Sequence, residues 1–262
     1  MPELPEVETI RRQLDKVLAG QEIRSIEVLN KKSWQGEILK VIGKKILGVK
    51  RKAKMIWVDL EGESNLLIHL KMTGQLLYEN FQNQYTRAII SLDKGRLLFN
   101  DLRIFGWIKV VNNEDLRKHF ANLPPDVIDE AFTVDYLQTA LKSSGRAVKL
   151  VLLDQQKIGG IGNIYANEAL FCAAIRPTVP ANKVKDFSKL HQCIVRVIKA
   201  AIKHGGTTAS DENFVNVFNR SGGFQKYLKV YENKGGCFHC GAKIKKIKLG
   251  GRGTYFCPSC QK

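Results

Sequence analysis

Apolar residues recur at three- and four-residue spacing from the start of the chain, at Leu4, Val7, Ile10, Leu14, Val17 and Leu18, and Gly20 follows them. That period predicts an amphipathic helix closed by a glycine cap. The pattern then changes to short runs of Ile, Val and Leu at 22–29, 42–49, 55–60, 65–71, 87–92, 96–100 and 106–111, parted by Gly, Asp or Asn turns. Asp93-Lys94-Gly95 reads as a hairpin between two of them, and the set predicts a β-sandwich or barrel. From about Pro124 helical spacing returns, at 133–142, 148–153, 163–174 and 188–204, the last run ending at Gly205-Gly206. Between two of these helices lies Gly159-Gly160-Ile161-Gly162-Asn163, too glycine-rich for a helix interior. It is either a tight interhelical turn or a place where a helix starting at Asn163 aims its N–H groups at an anion. Asp211–Gly223 has little periodicity and contains Ser221-Gly222-Gly223, so it reads as a mobile loop.

Length and charge narrow the class. The 262 residues, 44% of them hydrophobic, suffice for two domains or for one large and one small. No run approaches the apolar length of a membrane span and the N-terminus lacks a signal-peptide core, so a cytoplasmic location is expected. The net charge is +17, and Ser221–Lys262 holds nine Lys or Arg against the single acid Glu232. A polyanionic partner follows from that excess.

Two stretches carry chemistry. Met1-Pro2-Glu3-Leu4-Pro5-Glu6 places a proline behind the initiator methionine and two carboxylates at the mouth of the first helix. Proline and acids suit a helix start on structural grounds alone. If Met1 is removed, however, Pro2 becomes a secondary amine, and a free α-amine with a pKa of about 7.7–8.0, lowered further by the helix end, is partly unprotonated and nucleophilic at neutral pH. Its adduct with a sugar C1′ or a carbonyl is an iminium that is cationic without a proton, with Glu3 beside it as acid and Glu6 as positioner. The second stretch is Cys237-x2-Cys240 and Cys257-x2-Cys260, sixteen residues apart, with Ile244, Ile247 and Tyr255-Phe256 suggesting a hairpin between them. Two such pairs fit a closed tetrahedral zinc site that is structural, whereas disulfides are disfavoured without a secretion signal. His239 lies between two ligands, and Cys172 and Cys193 are read as core residues on helical faces.

The terminal Pro-Glu-Leu-Pro-Glu, the segment Gly160–Phe171, Gly205-Gly206-Thr207-Thr208 and the ribbon ending at Gln261-Lys262 together resemble the bacterial formamidopyrimidine-DNA glycosylase (MutM) family, from Pro2 to Lys262. The fold class expected is α+β and multidomain. An N-terminal helix plus β-sandwich form a catalytic domain over 1–123, a DNA-binding helical domain with a helix-two-turns-helix motif covers 124–222, and a zinc-ribbon hairpin covers 223–262. The resemblance implies a monomeric base-excision repair enzyme that flips an oxidised purine, 8-oxoguanine or a formamidopyrimidine, out of double-stranded DNA. It cuts the glycosidic bond and nicks the strand, at abasic sites too, by β,δ-elimination, in the cytoplasm at the bacterial nucleoid.

By the same resemblance Pro2 is the Schiff-base nucleophile, Glu3 the proton donor, Lys54 a proton donor in β-elimination and Arg252 the δ-elimination arginine. Glu6, Lys149 and Asn163 join the DNA-binding set, and Met72, Arg103 and Phe105 fill the hole left by the flipped base. One zinc per chain is held by Cys237, Cys240, Cys257 and Cys260. The chain departs from the family pattern at Ile104, where Arg or Lys is common, at Tyr85-Thr86-Arg87, where His-Asp-His is usual, at Lys71, where glycine is common, and in a short link after Tyr231. Lesion and opposite-base preference therefore stay open. An oxidised-pyrimidine (endonuclease VIII-like) preference, a non-catalytic lesion binder and a zinc-ribbon RNA binder are the competing readings.

Overall fold

The computed structural model describes residues 2–209 and 214–262, so Met1 and the first part of the Asp211–Gly223 loop lie outside the described residues. In chain order the elements are α1 (Leu4–Leu18), β1 (Ile23–Val28), β2 (Trp34–Gln35), β3 (Ile46–Lys52), β4 (Met55–Leu60), β5 (Ser64–His69), β6 (Gly74–Tyr78), β7 (Thr86–Leu92), β8 (Arg96–Asp101) and β9 (Trp107–Asn112). There follow α2 (Asn113–Ala121), α3 (Val134–Lys142), α4 (Val148–Leu152), α5 (Asn163–Cys172), α6 (Phe187–Lys203), β10 (Lys245–Leu249) and β11 (Arg252–Phe256). They form two compact units, Met1–Asn122 with His204–Gln225, and Leu123–Lys203 with Lys226–Lys262.

The first unit is the expected sandwich. One sheet runs β1-β7-β8-β6 and the other β2-β9-β5-β4-β3, antiparallel throughout except for the parallel β2–β9 pair. Val7, Ile10, Leu14 and Leu18 of α1 share one core with Ile56, Leu66, Ile68 and Ile108 of the larger sheet and with Ala88, Ile90 and Phe99 of the smaller. The helical period of four apolar residues thus meets the two-residue period of the strands on one buried face. β2 and β6 were not expected. The first is two residues long, and the second begins at Gly74, directly behind the turn that ends β5. α2 was also missed, because it buries only Leu116 and rests on its cap, the Asn112 side chain accepting from the Asp115 N–H at 2.7 Å. Residues 204–225, expected up to 222 in the helical domain and from 223 in the zinc ribbon, pack with the sandwich: the Val217 N–H donates to Gln13 at 3.1 Å, and Phe214 and Val217 enter the core.

The second unit holds α3–α6 and the β10–β11 hairpin. α5 is buried along most of its length, and α6 is amphipathic with Leu190, Cys193, Ile194 and Ile198 inward. Cys172 and Cys193 are not separate core residues. Packing of α5 on α6 brings them to a Cα–Cα distance of 5.7 Å, where they form a disulfide; spacing alone carried no sign of that pairing.

Candidate functional site

Pro2 and Glu3 are buried at the start of α1, and the geometry explains why two glutamates stand there. The Glu3 N–H donates to Glu6 Oε2 at 2.8 Å, in capping-box fashion. The other Glu6 oxygen accepts the Thr207 N–H at 2.7 Å. Gly206 is the residue that lets this strand of chain approach: its φ is +81°, and a Cβ there would sit 2.7 Å from Glu6 Oε1. Glu6 is therefore a buried brace between the helix start and Gly205–Thr208.

Lys54 sits in the turn between β3 and β4, whose Ala53 has a φ of 50°, in the left-handed region that costs a side-chain-bearing residue free energy. Arg51 holds that turn: its Nη1 donates to Ala53 O at 2.9 Å and its Nε to Glu8 Oε2 at 3.0 Å. Glu8 also accepts from Arg11 and Arg12 at 2.8 and 2.7 Å. Burial alone would raise the Glu8 pKa, but hydrogen bonds from Arg11, Arg12 and Arg51 outweigh it and hold the carboxyl at about 2 against an ordinary 4.5. A depressed carboxyl stabilises the fold above its unfolded pKa and loses that contribution as pH falls toward the folded value. Glu8→Gln is accordingly expected to flatten the dependence of stability on pH between about 4.5 and 2 by close to one proton, measurable by urea unfolding across that window.

His69, which sequence reasoning passed over, closes β5 near Lys54. Burial first, then the charges of Lys71, Lys54 and His119, press its pKa down to about 3, so the ring is neutral. Its Nδ1 accepts the Lys71 N–H at 3.0 Å, which puts the ring proton on Nε2. A histidine directly ahead of the Leu70-Lys71-Met72 turn was the one available signal.

Met72, Arg103 and Phe105 are brought together as one exposed group. The Arg103 guanidinium lies 4.7 Å from the Phe105 ring centre, and its Nη1 is 3.2 Å from Met72 Sδ. Two apolar side chains 41% and 51% exposed stand on the surface and are not core. Buried Asp101 organises the two turns that carry them, accepting from the Thr73 hydroxyl, from the Arg103 N–H at 3.2 Å and from the Gly106 N–H at 2.7 Å. Lys71 and Ile104 have φ values of 52° and 56°. For a β-branched residue such as Ile104 that is a real strain, tolerated where a site over-determines the backbone.

In the second unit, Arg252 opens β11 and is exposed. Lys149 is not on the surface. It is fully buried, with Nζ donating to Gly253 O at 3.0 Å and Thr254 Oγ1 at 2.7 Å, so it holds the two residues after Arg252. Asn163 begins α5 behind Gly162, as the anion reading requires. One turn on, Asn167 donates to Asn163 O at 2.6 Å and accepts the Tyr255 N–H at 2.9 Å. Glu168, also unforeseen, accepts the N–H groups of Lys229, Val230 and Tyr231 at 2.8, 3.0 and 2.8 Å. Its burial raises the carboxyl pKa against those three bonds. The α5 helix thus anchors both the linker and the hairpin of the cysteine module.

The four Sγ atoms of Cys237, Cys240, Cys257 and Cys260 lie within 4.8 Å of one another. Two pairs are at 3.8 and 3.5 Å, and a tetrahedron of thiolates about 2.3 Å from zinc has edges of about 3.8 Å. The donor set fits a zinc ion with no position left open. His239 stays outside it, its ring stacked on Phe171 at 5.7 Å.

Family models cover most of the chain. The formamidopyrimidine-DNA glycosylase N-terminal domain matches residues 1–108, the H2TH domain of the same family matches 123–213, and the zinc finger found in FPG and IleRS matches 237–262. Formamidopyrimidine-DNA glycosylases of Desulforamulus reducens and Thermus thermophilus are each 38% identical, over 100% of this chain and 99% and 98% of their own lengths. Among solved structures, the MutM (Fpg) protein of Thermus thermophilus is similar at a TM-score of 0.92 and 37% identity, over 99% of this chain and 98% of that one. Lactococcus lactis Fpg in complex with DNA containing N7-benzyl-Fapy-dG gives 0.92 and 32%, over the whole of both chains.

Proposed function

The chain belongs to the formamidopyrimidine-DNA glycosylase family, and from that premise we propose that it is a bifunctional DNA glycosylase and abasic-site lyase of base-excision repair. It removes oxidised purines from double-stranded DNA, acting as a single chain with one structural zinc. The observation that carries the reading is the N-terminus, where Pro2 and Glu3 are buried and locked by Glu6 to Thr207. A merely well-capped helix needs no such brace to a segment about two hundred residues away.

Once Met1 is removed, the Pro2 nitrogen attacks C1′ and the bond from C1′ to the base breaks. Glu3 supplies the proton that opens the sugar ring, which leaves an iminium between Pro2 and C1′. The iminium withdraws electrons from C2′, whose proton is lost as the 3′ phosphate leaves, and a second elimination releases the 5′ phosphate. Lys54 serves the first elimination and Arg252 the second. Asn163, with the N-terminus of α5, grips the backbone, and His69 offers a neutral Nε2–H donor beside Lys54 and Lys71. The functional pieces are a catalytic sandwich, a helical DNA-binding part and a zinc ribbon, a division supported by the three family models over 1–108, 123–213 and 237–262, with 204–225 packed on the sandwich.

On a duplex carrying 8-oxoguanine the enzyme releases the base and leaves a one-nucleotide gap with phosphate at both ends; a chain that releases no base and leaves an abasic duplex intact sinks the proposal. Met72→Ala and Phe105→Ala are expected to slow excision while leaving an abasic duplex much less affected, because opening an intact stack costs a few kcal/mol that the wedge offsets. Equal losses on both substrates point to a role in folding instead. Neutralising Arg252 should reduce the slope of log binding constant against log salt by about one unit. Lys149→Met should leave that slope unchanged and loosen the hairpin to hydrogen exchange. No described helix is long and apolar enough to cross a membrane, and the relatives are bacterial; the place of action is the cytoplasm, on nucleoid DNA, which imaging of a tagged chain tests.

A further inference from the structure

The outer face of the four-stranded sheet changes character along its length. Leu77, Leu98 and Ile89 form a small apolar cluster there, covered by Val215. Two residues further along the strands, and so on the same face, Gln75 of β6 and Asn100 of β8 stand in register, with Thr86 of β7 on the other side of Asn100. A cleft of about 390 Å³ opens over this polar end, lined among others by Thr73, Gln75, Tyr85, Asn100, Thr208 and Phe214. Its size falls in the range of about 300–1,000 Å³ found for small-molecule sites.

Asn100 is the anomaly in this cleft. It is 2% exposed, and neither Nδ2 nor Oδ1 has a hydrogen-bond partner among the described residues. Buried polar atoms are nearly always bonded, and an amide left without a partner as donor and as acceptor at once has the groups for a bidentate pair. Its complement is a planar group with an acceptor beside a donor. Nucleobase edges have that form: adenine offers N7 beside N6–H, an 8-oxopurine offers O8 beside N7–H, and a formamide is itself an amide.

The surroundings favour a base over other amides. Rings of Tyr85 and Phe214 line the same cleft. Its walls continue into the wedge, because Thr73 follows Met72 and Leu102, another lining residue, precedes Arg103. A base that leaves the stack where Met72, Arg103 and Phe105 enter it has this cleft within the same unit.

We propose that Asn100 is a specificity-determining residue whose side-chain amide pairs with the donor–acceptor edge of an everted nucleobase held in this cleft. The proposal rests on the glycosylase reading above. The base is either the lesion or its orphaned partner on the opposite strand; the chemistry is shared, and the two differ in which substitution of the DNA they sense.

The test is single-turnover cleavage by the full chain, Asn100→Leu and Asn100→Asp. Duplexes carry 8-oxoguanine or a formamidopyrimidine opposite each of the four bases, or an abasic site. Asn100→Leu should slow excision by about tenfold or more, the discrimination one bidentate contact supplies, while nicking of the abasic duplex stays within about twofold. Asn100→Asp keeps the shape and an acceptor but loses the donor, so it should fall between the two and guards against a fold defect in the leucine variant. A loss that changes with the lesion assigns the cleft to the damaged base, and one that changes with the opposite base assigns it to the orphan. Both bear the proposal out. Unchanged excision by both variants, which means the cleft holds water only, or an equal loss on the abasic duplex overturns it. If the unaltered chain neither excises nor nicks, the glycosylase reading itself has failed, a result distinct from wild-type activity that ignores Asn100.

Discussion

Borohydride added during turnover on a lesion-containing duplex is expected to join the protein permanently to DNA through residue 2. The expectation follows from charge. A secondary amine that has displaced a base at C1′ passes through a cationic iminium, and hydride reduces an iminium to a stable amine. Removal of Met1 is a precondition, since an amide nitrogen has no lone pair available for attack; the mass of the native N-terminus checks it. Blocking the terminus with one extra residue should abolish trapping entirely. Pro2→Gly keeps a primary amine and should retain weak trapping. Glu3→Gln should slow base excision by about 10²–10⁴-fold, the usual contribution of a positioned acid. It should slow nicking of an abasic site much less, because the open-chain aldehyde needs no ring protonation. A processed Pro2 terminus that yields no trapped complex on 8-oxoguanine, formamidopyrimidine, oxidised-pyrimidine or abasic duplexes would falsify the catalytic reading and favour a lesion binder.

Removing zinc should abolish DNA binding without unfolding the whole chain. The apolar cluster of the cysteine module is small, Cys237, Ile244 and Cys257 packed with Phe171 and Val230, and a core of that size cannot order its own loops. Structural zinc in such modules contributes on the order of 10–16 kcal/mol, so its loss releases the β10–β11 hairpin that carries Arg252. The large sandwich core around α1 shares no residue with that cluster. Chelation or Cys257→Ser should therefore leave a cooperative unfolding transition for the remainder, seen by circular dichroism, while binding to lesion duplex is lost. Collapse of the entire chain, or undiminished affinity, contradicts this account. The disulfide between Cys172 and Cys193 lies outside the metal set, so a reductant without a chelator should not reproduce the effect.

Much was legible in the chain because the relevant rules are local. The period of α1, the alternation of the long strands, the helical runs after Pro124 and the paired Cys-x2-Cys motifs each depend on neighbours a few residues away. The cysteine spacing alone pointed to the metal chemistry. The Pro2-Glu3 stretch marked a candidate nucleophile and acid because those residue types at the mouth of a helix are read from adjacent positions. Short elements escaped: β2, β6 and α2 bury too little to leave a periodic trace, and they exist because longer strands and a side-chain cap support them.

Tertiary structure decided what each charged side chain faces. Lys149 and Arg252 are both basic residues in a basic chain, yet one is buried under a hairpin and the other exposed on it. Met72 and Phe105 would pass for core by composition, and two left-handed turns tied to Asp101 push them outward. Glu6, Glu8 and Glu168 read alike in sequence, but one braces the start of the first helix, one gathers three arginines and one caps a linker. Partners such as Thr207 for Glu6 and Thr254 for Lys149 are about two hundred and one hundred residues distant, and hydrogen bonds of that span follow from how each unit packs within itself, which no local period encodes.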